Sequence, residues 1–460
     1  MKKKFLLLSL ISLLSINSFA FDDGFDTTDS GFDSAFSDSA DFSDNAFVTE
    51  DANKLDFEFN GELNLINRII TQGIKNIKDN ELNIDDYQKF KTELKVSKAN
   101  SELKANFLYD SRDEMVKIDE ATFRLYYDNY DVLVGKTKLV WGKGDKVHVI
   151  DNFNAEDMSD IINPDYLDRK IPENLVQVNY YIGNGNLEFV YAPKTTTTKL
   201  ADNDLWKTST QLNLETSLET IATKNLELYS AISNLKNKIY GDNIAENGQV
   251  GIRYTNSKNG YDYGISYYHG VEKTASFYMN GSELETSTLS SLSNLPDSAI
   301  LSTIKNIDIK YKKYDVIGTE LSTVLFGINS RAELAYYNIE DSNNQVKSII
   351  GGDKDLALHN INVNVQVKTE YTQNLDNDNF ANTLIAKISD KFKNERVLPE
   401  IQVVYNIEDK DYMLNNQIEF KVKDDTSFKV MYKIFEGDSG TTFGDFDTND
   451  YLAANFIYKF

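Results

Sequence analysis

The densest grouping of chemically capable side chains lies in residues 135–172, GKTKLVWGKGDKVHVIDNFNAEDMSDIINPDYLDRKIP. Asp145, Asp151, Asp157, Asp160, Asp165 and Asp168 alternate there with Lys143, Lys146, Arg169 and Lys170, just past Trp141. Gly142 and Gly144 allow a sharp turn after the tryptophan, and Asn163-Pro164-Asp165 signals another. Interspersed acids and bases suit a loop that folds inward and ties itself to a wall, with Trp141, Lys143, Asp145, Asp151, Asp157, Asp165 and Arg169 as the constriction set. A solvated external loop accounts for the same charges equally well. Catalytic readings are thinner. His148, His269 and His359 are the three histidines, and none sits in a nucleophile or zinc motif. LDNDNF, residues 375–380, has the acids of a calcium loop without its glycine and terminal glutamate. No metal, cofactor or catalytic residue is expected.

Strands must position that loop. In LDFEFNGELNLIN, Leu55, Phe57, Phe59, Gly61, Leu63 and Leu65 alternate with polar residues. Leu103, Ala105, Phe107 and Tyr109 do the same, as do Phe123, Leu125 and Tyr127. Late in the chain, Ile418, Phe420 and Val422 precede Phe428, Val430, Tyr432 and Ile434. A period of two puts each set on one strand face, and runs of about ten residues match a tilted strand crossing hydrocarbon. The opposite parity carries Glu58, Glu62, Glu102, Lys104, Arg124, Lys429 and Lys433, the expected lining of a wet lumen. Short turns at 98–100, 128–130, 183–185 and 423–426 alternate with long polar connections around 71–86, 142–172, 194–224, 272–303, 341–358 and 437–449. The expected fold is an all-β, antiparallel transmembrane barrel of about eighteen strands, sixteen to twenty bracketing the count. VIGTELSTVLFGINSRAELAYYN reads as one strand or two. A soluble, secreted β-sandwich or β-helix is the competing fold, but its strands would average about five to six residues.

The ends agree. Residues 1–20, MKKKFLLLSLISLLSINSFA, have the basic start, apolar stretch and small-x-small site of a signal peptide. No later run of eighteen apolar residues proposes a membrane helix. With no cysteine, the exported chain must be stable without disulfides. A formal net charge of −24 argues against nucleic acid as a partner, since its phosphates would be repelled. Residues 21–53 carry ten acids, no lysine or arginine, and phenylalanines at 21, 25, 32, 36, 42 and 47. That composition predicts a disordered acidic tail, a spacer or an arm for a periplasmic partner. The barrel then spans 54–460. A closing strand paired near 55–67 leaves no edge in lipid and puts both termini in the periplasm.

Phe456, Tyr458 and Phe460 resemble the C-terminal aromatic signature of Gram-negative outer-membrane proteins. That resemblance implies recognition by the barrel-assembly machinery. Residues 135–172 resemble a largely uncharacterised family of outer-membrane barrels whose early strand ends G-[RK]-x-x-x-x-WG-x-x-D before an Asp…Asn-Pro…Asp loop. Gly135, Lys136, Trp141, Gly142, Asp145, Asp151, Asn154 and Asp157 match, while Ala155 stands where the family has proline. The resemblance implies passage or export of hydrophobic compounds, in some members beside inner-membrane RND-type transporters.

The expected function is an outer-membrane channel or transporter for small or hydrophobic solutes, with membrane lipid and lipopolysaccharide around it. A plugged structural or ligand-binding barrel is the alternative. An outer-membrane hydrolase is the third, and it would need His269.

Overall fold

A computed structural model describes residues 54–71, 84–159, 166–240, 244–284, 286–374 and 379–460. The leader, the acidic tail, Asp160, Asn163-Pro164-Asp165 and most of LDNDNF lie outside the described residues. Eighteen antiparallel strands form one closed sheet. They are β1 (Asp56–Ile70), β2 (Ile84–Lys98), β3 (Ser101–Asp110), β4 (Met115–Tyr126), β5 (Tyr130–Thr137), β6 (Glu173–Ile182), β7 (Gly185–Ala192), β8 (Gln249–Lys258) and β9 (Tyr261–Val271). The circuit continues with β10 (Lys313–Leu325), β11 (Ile328–Ile339), β12 (Gln345–Asp355), β13 (Asn362–Thr372), β14 (Phe380–Ser389), β15 (Val397–Asn406), β16 (Asp411–Lys423), β17 (Thr426–Glu436) and β18 (Tyr451–Lys459). Each strand pairs with its sequence neighbours, and β18 closes on β1 from Glu62↔Lys459 to Ile70↔Tyr451. Closure leaves no unpaired edge, the condition for strands to cross a bilayer.

The alternation sorts side chains between two environments. Outward go Phe57, Phe59, Phe123, Ile265, Ile317, Leu334, Ile350, Phe428, Leu452 and Phe460, all exposed. Inward go the polar partners, many of them buried. Large apolar groups facing out and charged groups facing in invert a soluble protein, and only a lipid surround makes that arrangement favourable. The chain is a transmembrane β-barrel.

The long connections all leave one end of the barrel, and both described termini lie at the other, where the turns are short. The ambiguous stretch is two strands, β10 and β11, joined at Phe326-Gly327. Three expected loops need correction. Residues 341–358 contain β12, whose QVKSIIGGDKD loses the strict alternation at its glycine pair. The connections at 194–224 and 272–303 fold into helices, α1 (Ser209–Ala222), α2 (Leu226–Tyr240) and α3 (Asp297–Lys305). Thr208 caps α1, its side chain accepting from the Gln211 amide at 3.2 Å. Leu214, Leu218 and Ile221 of α1 pack with Leu228, Ile232 and Leu235 of α2 and Ile300 and Ile304 of α3. These recur at three- and four-residue steps, the apolar stripe of a helix.

The interior is layered. At the short-turn end the inward positions are polar. Toward the long-loop end Leu133, Val190, Val316, Ile349, Val404, Met413, Met431 and Phe435 point in and join one apolar cluster with Trp141, Ile150, Phe153, Trp206 and Phe446 from the connections. The polar lining gives way there to an apolar belt, against which loop side chains pack.

Candidate constriction site

After β5 the chain turns into the barrel. Asn154 joins the two stems of this loop: its side-chain oxygen accepts from Leu139 N at 2.7 Å, and its amide donates to the carbonyls of Thr137 and Ile171 at 3.1 and 3.0 Å. Trp141 is buried, with Phe153 edge-on to its ring at 5.1 Å. Its indole N–H donates to Glu188 on β7 at 3.2 Å, the partner a buried tryptophan requires. The wall makes room at Gly251 of β8, where a Cβ would come within 2.6 Å of the Phe153 ring. The turn itself needs Gly142, whose φ of +126° disfavours any other residue.

Glu333, on the inner face of β11, fixes the far side of the loop. Its carboxylate accepts from the amides of Lys143 (2.8 Å), Gly144 (2.7 Å) and Val149 (2.7 Å), and meets His148 Nδ1 at 2.9 Å. The glutamate side chain is fully buried. Three of these contacts fall on Oε1 and one on Oε2, and together they compensate the desolvation of the buried charge. Burial disfavours a charged His148, but the adjoining Glu333 carboxylate outweighs that and raises its pKa above the ordinary 6.5. Next along, the Asp145 amide donates to Gln366 on β13 at 3.0 Å, and Gln366 donates back to the Asp145 carbonyl at 3.0 Å.

The returning limb reaches the opposite wall. A single helical turn, Tyr166–Arg169, places Asp168 against Lys91 (2.5 Å) and Lys89 (3.7 Å) of β2. Burial alone would raise the Asp168 pKa, yet these lysines hold it well below the usual carboxylate range. Within the loop, Asp151 binds both Lys170 and Tyr166, and Arg169 faces Glu156 at 3.4 Å. Asp157 pairs with Lys199 at 3.4 Å. β2 and β11 are nine strands apart in a ring of eighteen. The loop therefore spans the lumen between opposite walls.

The other lumen residues named from sequence lie on inward positions. Lys95 bridges Glu58 (3.8 Å) and Glu102 (3.5 Å), Lys104 meets Glu93 (2.8 Å), and Arg124 faces Asp131 (4.0 Å). Glu62 lies opposite Lys91 in the strand register. Lys429 and Lys433 are buried on β17. Phe456, Tyr458 and Phe460 face outward. Lys143 lies in the charge field of Glu320, Arg253 and Asp262, and its burial brings its pKa down to about 8. Arg253 bridges Glu188 (3.7 Å) and Glu320 (2.7 Å). A second inward assembly lies beside β1, where Arg68 donates to Asp85 at 2.8 Å under the rings of Tyr87, Trp206 and Tyr451.

Sequence reading missed Glu333, Glu188, Glu320 and Arg253. They occupy the polar parity of their strands like many other residues, and their partners lie far away in the chain. The pairing of loop to wall leaves no local signal.

No family model matches the sequence, and no curated protein does, so the resemblance of residues 135–172 to a particular barrel family gains no support. Solved barrels are similar in outline. OpdL of Pseudomonas aeruginosa has 10% identity and a TM-score of 0.47, covering 88% of this chain and 98% of its own. OccK3 (OpdO) of the same organism has 9% identity and a TM-score of 0.47, covering 88% and 95%. A loop-deleted OmpT of Vibrio cholerae has 8% identity and a TM-score of 0.36, covering 88% and 99%. At TM-scores below 0.5 none of them bears on what this chain does.

Proposed function

We propose that this chain is an outer-membrane channel for small polar solutes, its bore set by the loop between β5 and β6. The observation that carries this is the double attachment of the loop, to Glu333 of β11 and to Lys91 of β2 on the opposite wall. A loop with no transport role has no need to bury the Glu333 carboxylate on one wall, because burying charge is costly, and to hold a second ion pair, part-exposed, on the other. The wall below it, with Lys95, Glu102, Lys104, Glu93, Arg253 and Glu320, favours hydrated solutes over the hydrophobic cargo that the sequence resemblance implies. In this reading the short turns and both termini face the periplasm, lipid and lipopolysaccharide surround the wall, and the assembly machinery reads Phe456, Tyr458 and Phe460. His269 and His359 pair with Asp315 (2.9 Å) and Asp390 (2.6 Å), and we assign neither a catalytic role.

A plugged barrel is the second reading, favoured by the apolar packing of Trp206, Phe446, Phe435 and Tyr451 at the long-loop end. Liposome swelling with uncharged sugars of graded size separates the two. A channel gives swelling that falls with solute size, and a plugged barrel gives none for any sugar.

A further inference from the structure

The outer wall carries a notch of about 400 Å³ at the short-turn end of β11–β13. Ile328, Gly352, Leu356, Val363 and Val365 line it, and Lys354 stands at its edge. The cause is local. Gly352 occupies an outward position of β12, between Ser330 and Val365 in the sheet register, and contributes no side chain. Asp353 also borders the notch, but Arg331 (2.7 Å) and Asn329 (2.8 Å) hold its carboxylate. Lys354 is thus the charge left at the opening, its ammonium 3.8 Å from where a Gly327 Cβ would sit.

The turns around the notch are unusual. Phe326 is 96% exposed, Leu358 72% and Phe392 41%. Other short turns carry Asn100, Asn129, Asn184, Asn259 or Asp424-Asp425, and the turns of Leu358 and Phe392 also hold Asn360 and Asn394, so the Phe326-Gly327 turn is the one that departs from this pattern. Phe326 also has φ +54°, a conformation that favours asparagine or glycine over a bulky residue. Local turn chemistry gives no reason for phenylalanine there, so the reason lies in what covers it. Exposed apolar groups beside an apolar recess mark a contact surface.

We propose that this notch is a phospholipid site: one acyl chain lies across Gly352 between Ile328 and Val365, with the headgroup phosphate on Lys354. Phe326 and Leu358 enter the same headgroup layer. An empty recess facing lipid forfeits dispersion contacts on one side, and a flexible chain restores them. A lysine at headgroup height adds attraction for phosphate. The site rests on the membrane placement proposed above, though not on conduction.

The test uses the full chain folded into vesicles of phosphatidylethanolamine and phosphatidylglycerol, with a trace of phospholipid bearing a photoreactive acyl chain. Labelled peptides are mapped by mass spectrometry. Labelling of residues 345–367 should exceed that of β16–β18 several-fold. Lys354→Glu should remove most of that excess. A Cβ on Gly352 would press the Asn329 carbonyl at 2.7 Å, so the recess is filled instead from β13 with Val365→Phe, which should do the same. Heat-modifiable gel mobility verifies folding of both variants. Even labelling around the wild-type barrel overturns the site, as does an excess that survives both variants or yields to lipopolysaccharide and not to phospholipid. Absence of labelling anywhere on the outer face would contradict the membrane placement itself.

Discussion

The ring of Phe460 lies directly over Gly61, so close that a Cβ on Gly61 would sit 2.2 Å from its Cζ. Gly61 N donates to the Phe460 carbonyl at 2.8 Å, and Phe460 N donates back at 2.9 Å. The ring also meets Phe59, Phe90 and Tyr458 at centroid distances of 6.1, 6.2 and 6.0 Å. First and last strands are thus locked by an aromatic covering a bare backbone, a known device for restoring packing over a strand glycine.

Gly61→Val should displace that ring and cost about 1–3 kcal/mol, the usual range for overpacking. Deleting Phe460 should remove the lock altogether and lower the amount of folded barrel. Heat-modifiable mobility and surface abundance are the measurements. Conductance of the molecules that do fold should not change, since the contact lies on the lipid side.

Glu333→Ala should free the loop from β11. It leaves three amides and His148 without their acceptor, at about 1–3 kcal/mol for each buried group left unsatisfied. Larger and noisier single-channel currents are expected, with the barrel still folded. Asp168→Asn should release the β2 side more mildly, because Lys91 is partly exposed and screened.

Lys143 should make the channel titrate. It is charged below its pKa of about 8 and neutral above it. Relative permeability should shift toward cations as pH rises through that value. Lys143→Met should abolish the shift, and reversal potentials in asymmetric salt report it.

His148 gives a pH effect on loop attachment. Its folded pKa is raised, so its contribution is complete below the unfolded value near 6.5 and is lost as pH rises through the folded value. Protease nicking within 143–159 should therefore increase on the alkaline side of that window. His148→Gln should remove the pH dependence.

The barrel was legible because lipid outside and polar groups inside impose the period of two on each strand. Closure was legible at Phe456, Tyr458 and Phe460. The alternation failed at β12, where Gly351 and Gly352 carry no side chain to mark a face. It was no guide to α1 and α2 either, although Leu214, Leu218 and Ile221 carry the helical spacing in plain view. The loop announced itself by Trp141 and the glycines after it, while its direction did not. That direction is decided by Glu333, 184 residues from Val149 in the chain, and a single glutamate on a strand looks like any other lumen residue.

Single-channel conductance in planar bilayers, wild type against a chain whose residues 143–170 are replaced by a short Gly-Ser turn, tests the central claim most directly. A loop tied across the lumen predicts a clear rise in conductance from a variant of normal heat-modifiable mobility. Unchanged conductance from that folded variant would contradict the loop as the constriction.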